Sequence, residues 1–195
     1  AGITTVLDSL SLHGKSNNGL DRAQTLSDMI GAVDRAHNNA ALRINHLLHL
    51  RCEVSNKHLM SSLEPYLDHK RLTMLSLMDH TPGARYPGGV EALQEKWRGR
   101  GLSEDDISLR LSRGSDWRDS EGAFHRRRDV ADLGARLNIP VASHDDGLPE
   151  HIDEAKSMGC SIAEFPLTLE AAARAQEVSL VNVMGAPNFV RGSSH

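Results

Sequence analysis

Cysteine is nearly absent from this chain of 195 residues, with Cys52 and Cys160 the only two. Two thiols give no disulfide framework, and neither has a second cysteine at zinc-ribbon spacing. Both are expected as reduced core residues. Aromatic residues make up only 4% of the chain, so its core has to come from aliphatic strands and Ala/Leu-rich helices. No apolar run approaches the roughly 18 residues of a membrane span, and no secretory leader is evident. The net charge of −4 holds no basic excess for a nucleic-acid backbone or an anionic membrane. A Walker lysine pattern is missing, which excludes a nucleotide P-loop, and no repeat of fixed period is present. What remains reads as a soluble, cytoplasmic protein. Its length suits one domain, 1–195, with a sizeable core.

The ends also lack something. The chain opens directly on the strand-like Ala1-Gly2-Ile3-Thr4-Thr5-Val6-Leu7-Asp8 with no Met, and it stops in Arg191-Gly192-Ser193-Ser194-His195. Both ends are expected to be cuts in a longer chain.

Periodicity supplies the elements. Residues 3–7 form a β-branched run and read as a strand, and 9–18 as a polar loop holding His13. Helical spacing of Leu26, Met29, Ile30 and Val33 predicts a helix over 20–38. Strands are expected at 46–54, 72–78, 139–143, 162–165 and 180–184. Helices are expected at 59–67, 124–137, 149–158 and 169–176, with Pro149 in the first turn of the third. Residues 84–120 carry five of the sixteen glycines among many charges. They read as an excursion over the active-site face, with one short helix after Ser103-Glu104-Asp105-Asp106. Six strands alternating with helices predict an α/β fold with a parallel sheet.

Four of the apolar runs end in groups able to bind metal or move protons. They are His49-Leu50-Arg51-Cys52-Glu53, Ser76-Leu77-Met78-Asp79-His80, Ala142-Ser143-His144-Asp145-Asp146 and Ala163-Glu164-Phe165-Pro166. A parallel β/α protein builds its site at the C-terminal ends of its strands, so four such clusters predict the rim of one pocket. His144 stands where its strand leaves the sheet, and the adjacent Asp145 is placed to orient it or act as a general base. The plainer reading makes Asp145 or Asp146 a cap for the next helix. Alternation puts His49, Arg51 and Glu53 on one face of their strand, either facing ligand or forming a surface stripe. Asp79 or His80, not both, faces the pocket, and Glu164 is a candidate buried acid. Arg126, Arg127 and Arg128 fit either a polyphosphate or a solvated helix face. The loop Gly185-Ala186-Pro187-Asn188 with Arg191 offers backbone N–H groups and a guanidinium fork to phosphate, or is a plain tail.

The strings His49-Leu50-Arg51-Cys52-Glu53, Met78-Asp79-His80-Thr81-Pro82-Gly83 and Gly185-Ala186-Pro187-Asn188-Phe189-Val190-Arg191-Gly192 occur here in one order. Together with Gly2 to Asp8, Ala142 to Asp146 and Ala163 to Pro166, they make the chain resemble the phosphonate-metabolism (PhnM) branch of the amidohydrolase superfamily, over nearly its whole length. The resemblance implies a (β/α)8 TIM barrel of the amidohydrolase type, present here as a truncated six-strand portion. It also implies a divalent metal (zinc, manganese or iron) at the C-terminal face. The implied reaction is hydrolysis of α-D-ribose 1-methylphosphonate 5-triphosphate to the 5-phosphate and pyrophosphate. Metal and arginine would neutralise the charge developing on the phosphoryl group. By motif position, Glu53, His80 and His144 are the implied metal ligands and Asp145 a ligand or base. Arg51, Asn188, Arg191 and His195 are implied on the substrate side. The superfamily also takes ligands from a first-strand His motif and a last-strand Asp that this sequence does not hold. An open partial barrel, or one completed by another chain, is therefore expected, and a homo-oligomer is a separate expectation. Two other readings stand beside the diphosphatase. One is a hydrolase of C–N bonds (a deaminase or deacylase) on the same scaffold, and the other is a catalytically incomplete fragment that serves only in assembly.

Overall fold

The protein is described by a computed structural model that covers residues 2–12, 22–39, 41–112, 120–186 and 190. Six strands form one sheet in the order β1(Thr5–Leu12), β2(Asn45–Glu53), β3(Leu72–Met78), β4(Val141–His144), β5(Ile162–Glu164) and β6(Val181–Val183). Every neighbouring pair is parallel, so each strand lies beside the next one in sequence. The helices are α1(Arg22–Asn38), α2(Leu59–Leu63), α3(Gly89–Gly99), α4(Glu104–Ser112), α5(Ser120–Leu137), α6(Pro149–Ser157) and α7(Leu169–Glu177). A helix between consecutive parallel strands is the crossover that parallel pairing needs.

Alternation along the strands separates two faces. Leu48, Leu50 and Cys52 of β2 join Leu10, Leu12, Leu75, Leu77, Val141 and Ala163 in the core, with Val130 and Leu133 of α5 and Ile152 of α6 packed on it. His49, Arg51 and Glu53 point to the other face, where the polar groups gather. Both cysteines are buried, and burial pushes each thiol up to about 12, so they are core filler as expected. No described helix is long and apolar enough to cross a membrane.

Three local expectations need correction. β1 runs to Leu12 rather than stopping at Leu7, because Leu10 and Leu12 enter the core while Ser9 is held by His49. Among its described residues the excursion holds two helices, α3 and α4, where one was expected; the Gly88-Gly89 start of α3 carries no side-chain cap to announce it. The start of α4 is as read, with the Ser103 hydroxyl accepting from the Asp106 N–H at 3.1 Å. Neither Asp145 nor Asp146 caps α6, whose N-cap is Leu148 with no side-chain hydrogen bond. His13, named above in the polar loop, lies outside the described residues.

Candidate functional site

The site is built from the last residues of β2 to β5 and the turns that follow them. His49 is buried in the sheet's polar face, with Nδ1 2.7 Å from the Ser9 hydroxyl and Nε2 2.9 Å from that of Ser76. Burial holds its pKa below the ordinary imidazole value. Hydroxyls that can donate or accept satisfy both nitrogens of a neutral ring.

Two residues on, Glu53 is a buried carboxylate, which is costly unless paired. Its Oε2 lies 2.5 Å from His80 Nδ1, and its Oε1 accepts from the Ser55 hydroxyl at 2.7 Å and from the His80 N–H at 3.1 Å. Burial alone would raise this carboxyl, but the hydrogen bond and charge of His80 outweigh it and hold the pKa below the usual range. The His80 imidazole is raised in turn, because its bond to Glu53 outweighs desolvation.

A second pair repeats this arrangement. The register places His144 opposite Glu164, and His144 Nδ1 lies 2.7 Å from Glu164 Oε2. Burial opposes the Glu164 charge, yet the His144 bond keeps its carboxyl below the usual range. His144 Nε2 meets two other groups, Arg51 Nη2 at 3.1 Å and Asp145 Oδ2 at 3.6 Å. Phe165 packs edge-on against the imidazole with centroids 5.4 Å apart. Asp145 and Phe165, the first residues past β4 and β5, have φ of 54° and 59°. That left-handed region is uncommon for residues other than glycine, and at a site it turns the chain sharply out of the sheet.

The structure thus brings three of the expected residues together. One ligand atom from each of His80, His144 and Asp145 lies within 4.8 Å of the others. Around an ion with bonds of about 2.1 Å, tetrahedral ligands stand roughly 3.4 Å apart, so a small inward movement completes the group. The donor chemistry fits: two imidazoles and a carboxylate suit zinc, manganese or iron. So does the support, because each imidazole has its Nδ1 on a carboxylate, which leaves Nε2 as its ligand atom. Glu53 stands outside that group, with its Oε2 on His80 Nδ1. Arg51 reaches the group from β2. Asn188, Arg191 and His195 lie outside the described residues.

Sequence reasoning did not find the ion network beside this cluster. Glu154 of α6 accepts from Arg127 Nη1 and Arg85 Nη2, each at 2.9 Å. Arg127 Nη2 donates on to Asp79 at 3.1 Å, and Arg85 Nη1 lies 3.5 Å from the fully buried Asp146. Five charges of alternating sign therefore tie the residue before His80 to the residue after Asp145, around a cavity of about 250 Å³. Asp79 faces this network while His80 faces the metal-capable group, so each of the two has its own side. The arginine triplet is not a solvated face: Arg127 is buried, Arg126 donates to the Val54 carbonyl at 2.6 Å, and Arg128 alone is exposed. Only the charge of Arg85 and Arg127 was visible in the sequence, since their acidic partners are distant along the chain.

Parallel strands with histidines and carboxylates converging at their C-terminal ends define an α/β protein with a metal-capable group at that edge of the sheet. Over all of its length this chain is 35% identical to the α-D-ribose 1-methylphosphonate 5-triphosphate diphosphatase of Escherichia coli K12, across 201 aligned residues. The resemblance read from the motifs is thereby shown, and the chain is PhnM-like throughout. It spans about half, 51%, of that relative's length. No family model matches the chain, and no solved structure does.

Proposed function

We propose that this chain forms the metal-binding part of a hydrolase that cleaves a polyphosphorylated sugar phosphonate. The substrate would be α-D-ribose 1-methylphosphonate 5-triphosphate, and the products its 5-phosphate and pyrophosphate. The observation that carries this reading is the convergence of His80, His144 and Asp145 on adjacent strand ends, in a chain similar throughout to a diphosphatase. In this reading the six strands are a portion of a (β/α)8 barrel over 1–195, and 84–120, of which 113–119 lie outside the described residues, is the excursion over the site's face.

His80 and His144 would hold a divalent cation through Nε2, with Asp145 as third ligand or as base. A cation there would polarise a phosphoryl oxygen and make a water more acidic. The protein's own groups set the rest. Glu53 and Glu164 fix the tautomers, so that each ring presents a lone pair to the pocket. Asp145, when not a ligand, would accept a proton at Oδ2. Arg51 brings a fixed positive charge to a substrate that is an anion at every phosphate, and Asn188, Arg191 and His195 would add to it from the chain after β6. Phe165 shields the His144 imidazole from water. The Arg51 guanidinium in the pocket favours phosphoryl substrates over the C–N bond alternative.

The test is pyrophosphate release from this triphosphate by the purified chain supplied with zinc, manganese or iron(II), with bound metal measured in the same sample. Turnover that disappears in His144→Ala together with the metal supports the reading. Stoichiometric metal without turnover assigns the chain to the incomplete-fragment reading, and a folded chain that binds none of the three metals overturns the proposal.

A further inference from the structure

His144 Nε2 is the atom that a cation would need, and a guanidinium already sits on it. Arg51 Nη2 lies 3.1 Å from Nε2 while Nδ1 is engaged by Glu164 at 2.7 Å. With Nδ1 donating its proton to the carboxylate, Nε2 holds the lone pair, and Arg51, which has only donors, can bond to it. A cation and Arg51 therefore compete for one lone pair. The Arg51 Nε–H has no hydrogen-bond partner among the described residues.

We propose that Arg51 is a metal-displaced anion ligand. In the metal-free chain its guanidinium caps His144 Nε2. When a divalent cation takes Nε2, Arg51 leaves that nitrogen and turns its fork to phosphate oxygens in the same pocket. Metal and polyphosphate then bind with positive coupling, because the first frees the group that grips the second. A cation that takes Nε2 has to outcompete a charged hydrogen bond. This rests on the ligand assignment proposed above.

The experiment is zinc affinity by competition with a chelator, on the whole chain, for wild type and Arg51→Met, at low salt and at about 0.5 M NaCl, where the Debye length falls to a few ångströms. Loss of a charge-assisted hydrogen bond to Nε2 should tighten zinc about tenfold. The gain should persist at high salt, because competition for a lone pair is not screened as distant repulsion is. In parallel, inorganic pyrophosphate is titrated into each protein with and without zinc. Zinc should strengthen pyrophosphate binding in wild type by more than it does in Arg51→Met. Zinc affinity in folded Arg51→Met equal to or weaker than wild type overturns the proposal while leaving the metal site standing, as does a gain that vanishes at high salt. No zinc bound by either protein removes the metal site and this inference together. If Arg51→Met does not fold, the wild-type pyrophosphate coupling still decides, and no strengthening by zinc overturns the idea.

Discussion

Glu154→Gln removes the central charge of the five-member ion network and keeps its shape. The glutamine oxygen can still accept from one guanidinium, but its amide then points donors at the other. Arg85 and Arg127, both about nine-tenths buried, are left with Asp146 and Asp79 alone. Removing one partner from a fully buried pair costs about 3–5 kcal/mol. The Glu154 side chain is 28% exposed, so water recovers part of that, and about 2–3 kcal/mol is expected. For a chain of this size the corresponding drop in Tm is about 5–10 °C. The pH dependence has a definite sign. Arg127 and Arg85 hold the Glu154 carboxyl below its usual range in spite of burial. Its contribution is therefore complete above the unfolded carboxyl value and is lost as pH falls through the lower folded value. Urea denaturation of both proteins should show a gap near neutral pH that closes below about pH 4. A variant within about 0.5 kcal/mol of wild type at pH 7 would refute the reasoning, since water would then be satisfying both guanidinia. A gap of the same size at acidic pH would refute the electrostatic cause.

Three further outcomes follow from the packing. Gly134→Ala should cost about 1–3 kcal/mol in urea denaturation, because a methyl there would collide with Val141 Cγ2 where α5 crosses β4. Cys52 and Cys160 should stay unmodified by an aromatic disulfide reagent at pH 8 in the native chain and react at once in urea, given burial and thiols pushed up to about 12. Thr168→Ala should lose about 1 kcal/mol by thermal melting, since its hydroxyl accepts from the Ala171 N–H at 3.1 Å as the N-cap of α7.

Where the sequence could be read and where it could not follows from the range of each interaction. β3 was read to the residue, because seven consecutive apolar or small residues are followed at once by Asp79-His80-Thr81-Pro82-Gly83. The polar half of β1 hid its alternation: Ser9 and Ser11 look like loop until Leu10 and Leu12 are seen in the core and Ser9 on His49. Ligand-type residues could be found at strand ends by their chemistry alone. Their pairing could not, because His144 meets Glu164 only through the β4–β5 register, and Glu53 meets His80 across 27 residues of chain. The arginine triplet shows the limit most clearly. Nothing local distinguishes Arg127 from Arg128, and only the position of Glu154 on a later helix makes one a buried tie and the other a surface group.

Asp145 turns the chain out of β4 with a φ of 54° while presenting its carboxylate to His144 at 3.6 Å. The backbone there accepts glycine, asparagine or aspartate at low cost. The chemistry accepts a short carboxylate. Aspartate alone satisfies both demands: glycine and asparagine keep the turn and lose the anion, and glutamate keeps the anion but brings a longer side chain to a backbone it enters poorly. The alphabet of twenty therefore offers this position a single letter. Any lineage that altered the chemistry here would have to rebuild the turn as well, so the bend in the main chain guards the acid.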